Sequence, residues 1–106
     1  MIACNCIVQA GQIPPNTQAV LRQKITAFTQ KEFGAAADIN WTEIPERSGF
    51  TAGKPSTSSI ISIRANTALP QERRAELLHT LCGMWSDETQ SSLNEIVGVL
   101  SDPENA

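Results

Sequence analysis

The sequence lacks the patterns that several classes of protein require. It has 8 basic residues against 11 acidic ones and a net charge of −3. The basic residues are scattered, with no stripe that could follow a phosphate backbone. No apolar run approaches the roughly 20 residues that span a bilayer, and no basic, apolar leader precedes the first predicted strand. These absences argue against nucleic-acid binding, a membrane span and a signal peptide, so we expect a cytoplasmic location.

Cysteine and histidine are also few, at three and one respectively. An odd number of cysteines without disulfide-like spacing indicates a reducing compartment. Cys4 and Cys6 share one face of a predicted strand, and we interpret them as small apolar core residues. The single His79 lies on a distant predicted helix. The sequence therefore offers no set of zinc ligands, and we expect neither a metal nor another cofactor.

The sequence does contain one pattern of hydrophobic periodicity that occurs twice. A strand, a helix and a second strand are predicted in each half, and self-similarity on this scale restricts the fold strongly. The first copy comprises Ile2–Val8, Asn16–Phe33 and Ile39–Ile44. The second copy comprises Ser59–Ala65, Pro70–Trp85 and Glu95–Leu100.

This β-α-β-β-α-β order predicts a single α+β domain over residues 1–106, with repeat 1 at about 1–45, a connecting segment at 46–58 and repeat 2 at about 59–102. Each strand–helix–strand unit is long enough for a right-handed parallel crossover. The same order also describes the ferredoxin-like fold. A chain this short buries only about 60–70 % of the surface of its unfolded state, so we expect self-association.

Local signals set the expected ends of these elements. Asn16 or a neighbour can cap the first helix, and Gly34 can end it in a left-handed conformation. We expect a polar loop at Ser86–Ser92 and a frayed tail at Asp102–Ala106. The connecting segment, rich in Gly, Ser and Thr, is long for a simple connection, and such segments often carry function.

Two short motifs give the chain a resemblance to a known family. Asn40-Trp-Thr-Glu-Ile-Pro45 and Phe50-Thr-Ala-Gly53, with Ile2-Ala3, Gly11 and the doubled plan, resemble the tautomerase superfamily. Its members include 4-oxalocrotonate tautomerase, malonate semialdehyde decarboxylase and macrophage migration inhibitory factor. The cis-3-chloroacrylic acid dehalogenase branch is the most similar. The resemblance covers nearly the whole chain and implies a four-stranded sheet with both helices on one face, and a homotrimer with the sheets inward.

The resemblance also implies a chemistry. In the family an N-terminal proline amine moves protons beside a carbonyl, because an apolar pocket and nearby cations disfavour its protonated form. Arginines hold the substrate carboxylate, and an aromatic residue closes the pocket. Here the matching position is Met1 or Ile2, and no proline occurs before Pro14. We therefore expect at most weak tautomerase, dehalogenase-like hydratase or decarboxylase activity. The alternatives are a non-catalytic trimer that binds small anions or acts as a scaffold, and a ferredoxin-like dimer.

Seven residues are candidates for the site. The Met1 amine could be the catalytic base, although the simpler interpretation is that Met1 only begins a strand. Arg64, at the end of a predicted inner strand, is the best carboxylate ligand, unless it only pairs with an acidic neighbour such as Glu43. Arg73 and Arg74 could bind substrate or lie on a solvated helix face.

The remaining candidates lie in or near the two motifs. Lys54 could reach an anion or be an ordinary surface lysine. Phe50 matches a family position and could line a pocket. Trp41 could do the same, although packing in the sheet core is the simpler interpretation. The expected ligand is a small carboxylate or keto acid.

Overall fold

The computed structural model describes residues 1–51 and 53–103, and the doubled pattern is present in it. The first copy consists of β1 (Ile2–Gln9), α1 (Pro15–Phe33) and β2 (Ala37–Ile44). The second consists of β5 (Ser59–Arg64), α2 (Gln71–Thr89), a short 3-10 turn (Leu93–Glu95) and β6 (Ile96–Ser101). Between them, β3 (Phe50–Thr51) and β4 (Lys54–Pro55) pair with each other. The predicted fold class is confirmed.

The main sheet has the strand order β2-β1-β5-β6. Each crossover joins neighbouring parallel strands, β1 with β2 and β5 with β6. The two units meet through the antiparallel pair β1 and β5, in which Cys6 lies opposite Ile61. A ferredoxin-like sheet would place its last strand beside its first. Here β6 pairs with β5 instead, so the ferredoxin-like alternative is wrong.

The core lies between one face of this sheet and both helices. Alternate residues of β1 are buried, and Cys4 and Cys6 are both 0 % exposed, which confirms them as core residues. Helix α1 contributes Leu21 and Ile25, and α2 contributes Leu77, Leu81 and Trp85. Strand β5 adds Ile61 and Ile63. The period of two along the strands and of about 3.6 along the helices is what aligns these side chains in one layer.

The opposite face of the sheet carries apolar side chains that remain partly or largely exposed. Val97 and Val99 on β6 are 47 % and 41 % exposed, and Phe50, on the separate β3–β4 sheet next to this face, is 65 % exposed. Ile7 and Ile60, on the two central strands, are half-buried. An apolar sheet face of this kind is typical of a surface that a partner covers.

The end of α2 lies later than the sequence predicted. The helix continues through Ser86 to Thr89, so the polar loop predicted at Ser86–Ser92 is wrong over its first four residues. Polar side chains at this end bond to nearby carbonyl groups, since Thr89 Oγ1 donates to Trp85 O at 2.8 Å and Ser86 Oγ donates to Ser91 O at 2.6 Å. These bonds satisfy carbonyl groups around the C-terminal end of α2, where Gln90 N also donates to Ser86 O at 2.8 Å.

The other ends follow the prediction more closely. Gly34 has φ 69° and ends α1 in the left-handed conformation, as predicted. The residue that caps α1 is Pro14 rather than Asn16, whose Oδ1 accepts from Thr17 N at 3.0 Å instead. The predicted tail begins with an ordered residue, because Asp102 is held by hydrogen bonds, while residues 104–106 lie outside the described part. Neither α1 nor α2, the long helices of the described chain, has the length and apolar content of a membrane span.

Candidate functional site

A small cavity lies at the start of β1. Because β1 and β5 are antiparallel, with Cys4 opposite Ile63, the start of β1 lies beside the end of β5. The cavity has a volume of about 250 Å³ and is here called the Met1 cavity. Its lining residues are Met1, Ile2, Ala3, Arg64, Ala65, Asn66 and Pro103. Two of the residues predicted from sequence, Met1 and Arg64, therefore share one cavity.

Backbone hydrogen bonds hold the residues around this cavity in place. Ile2 N donates to Ala36 O and Ala65 N donates to Ser101 O, both at 2.8 Å. Asn66 Nδ2 donates to Phe33 O at 2.9 Å. The cavity is smaller than the roughly 300–1,000 Å³ that is usual for small-molecule sites. It therefore suits a small ligand, and the arginine among its lining residues suits a carboxylate.

Arg74 is linked to the Met1 cavity through Asp102. Its guanidinium donates to Leu100 O at 2.8 Å, Leu69 O at 3.0 Å and Asp102 Oδ1 at 2.9 Å. These bonds position Asp102, which directly precedes the lining residue Pro103. Arg74 is not one of the lining residues, and direct substrate binding by it stays a prediction.

The structure does not bring Arg73 or Lys54 into the Met1 cavity. Arg73 bonds to Glu32 on α1 and, at 3.3 Å, to Glu76 on its own helix, so it bridges the two helices. Lys54 is exposed on β4. Substrate binding by either residue also stays a prediction.

The two aromatic candidates lie on opposite sides of the sheet. Trp41 stacks on Trp85 with 5.8 Å between ring centroids, and the Arg22 guanidinium lies 5.5 Å from its ring. Trp41 is thus packed on the helix side. Phe50 lines a separate cavity of about 220 Å³ on the exposed sheet face, next to Ile7 and Val97.

A larger cavity, lined mainly by polar residues, lies at the other end of β1, and no single residue of it was predicted from sequence. Its volume is about 450 Å³, and it is here called the Arg47 cavity. The only signal for it was the unusual length of the connecting segment, which supplies most of its wall. Its lining residues are Gln9, Arg47, Gly49, Pro55, Ser56, Thr57, Ser58, Asn94 and Glu95.

The buried cysteines of β1 form a pair with 3.9 Å between their Sγ atoms. With Cys6 as donor, this hydrogen bond raises the pKa of Cys6, and burial raises it further. The same bond lowers the pKa of Cys4, against the effect of burial. Both thiols are inaccessible, so neither is placed to act as a nucleophile on a ligand. Within the described ranges, no group of three or more His, Cys, Asp and Glu residues could hold a metal ion.

Comparison with known proteins gives a clear structural result. No family model and no curated protein matches the sequence. Among solved structures, native Ps01740 is similar with a TM-score of 0.86 and 24% identity over 95% of this chain and 93% of that one. The wild-type symmetric trimer of Q0 fused 4-OT gives a TM-score of 0.83 and 16% identity over 95% and 85% of the two chains.

A third similar structure comes from the branch that the motifs favoured. N1, a member of the cis-3-chloroacrylic acid dehalogenase family, has a TM-score of 0.80 and 14% identity, over 98% of this chain and 78% of that one. At identities this low the likeness concerns the fold. The chain has the fold of the tautomerase superfamily, as the resemblance implied.

Proposed function

We propose that this protein binds a small carboxylate or 2-keto acid in the Met1 cavity and acts on it as a weak tautomerase. The observation that carries this proposal is that Met1 and Arg64 line the same cavity. A guanidinium is suited to a carboxylate because its planar N–H groups match the two carboxylate oxygens. The amine of residue 1 is the acid–base group in this proposal.

The proposed reaction is a proton transfer between oxygen and carbon. Arg64 holds the carboxylate, which places the adjacent enol or keto group towards the nitrogen of residue 1. The neutral amine takes the enol O–H proton, the electron pair closes the carbonyl, and the resulting ammonium returns the proton to the carbon. A positioned acid–base group contributes about 10²–10⁴ in rate, so the expected activity is modest.

We also propose that the protein is a homotrimer whose exposed sheet faces meet at the centre. Val97 and Val99 are among the most exposed large apolar residues, and they lie on the sheet face that the helices leave uncovered. The symmetric trimer of fused 4-OT has the same fold. Sedimentation velocity tests this directly, since a trimer supports the proposal and a stable monomer or dimer contradicts it.

Steady-state kinetics on a panel of enolisable 2-keto acids tests the catalytic part. Arg64→Ala should lower kcat/KM by roughly 10- to 100-fold, the equivalent of one hydrogen-bonded charge pair. Lys31→Ala, an exposed change on α1, is the matched control and should have no effect. Mass spectrometry of the same sample establishes which residue carries the free amine. If neither the native protein nor a variant with an N-terminal proline in place of Met1 showed turnover, the proposed enzymatic activity would be ruled out.

The residues that line the Met1 cavity also favour a second candidate function, the binding of small anions without catalysis. Apart from Met1, the lining residues are Ile2, Ala3, Arg64, Ala65, Asn66 and Pro103. None of these side chains is a general base near neutral pH. Pure binding predicts that a 2-keto acid raises the melting temperature without turnover. The rise should disappear in Arg64→Ala, and a rise of equal size in that variant would exclude Arg64 as the ligand.

A further inference from the structure

The Arg47 cavity has the dimensions and the construction of a second ligand site. Its volume of about 450 Å³ lies within the roughly 300–1,000 Å³ that is usual for small-molecule sites. It is lined at the far end of β1 from Met1, by the connecting segment on one side and the turn before β6 on the other. Nothing in the function proposed above uses it.

A buried glutamine at the end of β1 holds the cavity wall in place. Gln9 is only 4 % exposed. Its Oε1 accepts from Arg47 N at 3.1 Å, and its Nε2 donates to Ser56 O. Both ends of the connecting segment are therefore attached to one side chain. A buried carboxamide with both ends satisfied fixes a single arrangement of its partners.

The wall also requires a glycine. A Cβ on Gly49 would lie 2.7 Å from Gln9 Nε2 and 2.7 Å from Ser56 O. Ser56 N in turn donates to Gly49 O at 2.8 Å. The two sides of the segment thus approach each other as closely as only glycine permits, which leaves the cavity little freedom to close.

Arg47 itself is held in an unfavourable backbone conformation. Its φ is 67°, a region that L residues other than Asn and Asp seldom adopt. Strained residues of this kind cluster at ligand sites, where the surrounding structure maintains them. Within residues 1–51 and 53–103, no ion pair uses the Arg47 side chain. A guanidinium at the cavity is therefore available to a ligand.

The other side of the cavity carries the opposite charge. Glu95, in the 3-10 turn before β6, accepts from Thr57 Oγ1 at 2.7 Å through Oε2. Its Oε1 has no hydrogen bond or ion pair within the described chain. Asn94 lies beside it and adds a carboxamide. The charged side chains that line the cavity are thus one cation and one anion.

We propose that the Arg47 cavity binds a small zwitterion, such as a free α-amino acid. Its carboxylate pairs with Arg47 and its ammonium pairs with Glu95. A simple carboxylate would be attracted by Arg47 but repelled by Glu95. A simple amine would be attracted by Glu95 but repelled by Arg47. Only a ligand that carries both charges is attracted by both side chains. This site is separate from the Met1 cavity and does not depend on activity there.

An amide NMR titration of the full chain with L-alanine tests the proposal. Propionate and ethylamine are the matched halves, since each retains one charge of alanine. Alanine should produce saturable shifts at Arg47, Gly49 and Asn94, with smaller effects at Ala3 and Ala65 in the Met1 cavity. Judged from the signals of Arg47, Gly49 and Asn94, each half should bind at least tenfold more weakly than alanine. If propionate bound at these residues as tightly as alanine, or if alanine produced no saturable shift there, the proposal would be overturned.

Two variants isolate the charged groups. Arg47→Gly removes the guanidinium while suiting the positive φ, so it should remain folded and bind alanine at least tenfold more weakly. Glu95→Gln should weaken alanine binding to a similar degree while leaving propionate binding unchanged or stronger. Lys31→Ala is the surface control and should bind as the parent does. Undiminished alanine binding by a folded Arg47→Gly protein would contradict the proposal, even if the Met1 cavity proved active.

Discussion

The carboxylate of Asp102 joins two separate parts of the chain at one oxygen atom. Its Oδ1 lies 2.9 Å from the guanidinium of Arg74, and the same atom accepts Leu69 N at 3.2 Å. The bonds tie the residues after β6 to the start of α2, and Pro103, the next residue, forms part of the Met1 cavity. Arg74, one of the candidate substrate ligands from the sequence, is thus engaged in supporting the site.

Arg74→Ala should therefore reduce both stability and ligand binding. It leaves Leu100 O and Leu69 O without these donors, and hydrogen bonds to charged groups contribute about 1.5–3 kcal/mol. We expect the free energy of unfolding to fall by about 1–3 kcal/mol in chemical denaturation. Arg73→Ala, which removes the ion pairs of a half-exposed arginine, worth about 0–1 kcal/mol, is the comparison. If both variants lost the same free energy of unfolding, the hydrogen bonds of Arg74 would contribute no more to stability than the ion pairs of Arg73.

The stacked tryptophans should be a main source of stability. Trp85 is 0 % exposed and packs on Trp41. Trp85→Ala should cost about 3–5 kcal/mol, as large-to-small changes at buried aromatic residues do. Trp85→Phe keeps a ring and should cost clearly less. Denaturant titration of both variants measures the difference, and an alanine variant as stable as the phenylalanine variant would argue against the stack.

Two glycines should respond in opposite ways to alanine. Gly49→Ala would bring a Cβ within 2.7 Å of a backbone carbonyl and should cost about 1–3 kcal/mol, as overpacking does. Gly83 lies inside α2, and a Cβ added there would meet nothing within 4 Å, so Gly83→Ala should stabilise by about 0.5–1 kcal/mol. Thermal unfolding of the two variants measures both changes in stability. Destabilisation by Gly83→Ala would contradict the open space around Gly83.

Stability should decline in mildly alkaline solution because of the buried thiols. The hydrogen bond from Cys6 to Cys4, followed by burial, raises the pKa of Cys6, and burial raises the pKa of Cys82. A raised folded-state pKa contributes stability that is complete below the unfolded value of about 8.5 and is lost as pH rises above it. The lowered pKa of Cys4 partly opposes this trend.

Urea denaturation at several pH values between about 7.5 and 9.5 measures this slope. The chain contains no tyrosine, so few other side chains titrate in that range. Cys82→Ala should flatten the slope without disturbing the pair on β1. If the stability of the parent protein were constant across this pH range, the raised pKa values of Cys6 and Cys82 would be refuted.

The order of elements was predictable because it depends on local periodicity. The repeated alternation in Ile2–Val8 and Ser59–Ala65 located both central strands to within about one residue of their observed ends. Their antiparallel pairing is a contact between distant parts of the chain, and periodicity alone could not separate it from the ferredoxin-like arrangement. The extra turn of α2 was missed because Ser86 and its neighbours look like a loop when their bonding partners are unknown.

The sites were less predictable because they depend on contacts between distant parts of the chain. Met1 and Arg64 were predicted as site residues from a family resemblance. Only the pairing of β1 with β5 explains why they line the same cavity. Nothing in the sequence around Arg47 shows that its backbone is held at positive φ, because Gln9, some forty residues earlier, maintains it. Long-range hydrogen bonds of this kind depend on the completed fold.

The most direct test of the Met1 cavity is a calorimetric titration of pyruvate into the parent protein and Arg64→Ala. We predict saturable binding by the parent and at least tenfold weaker binding by a folded Arg64→Ala variant. Equal affinities for the two proteins would contradict the account of this cavity as a carboxylate site.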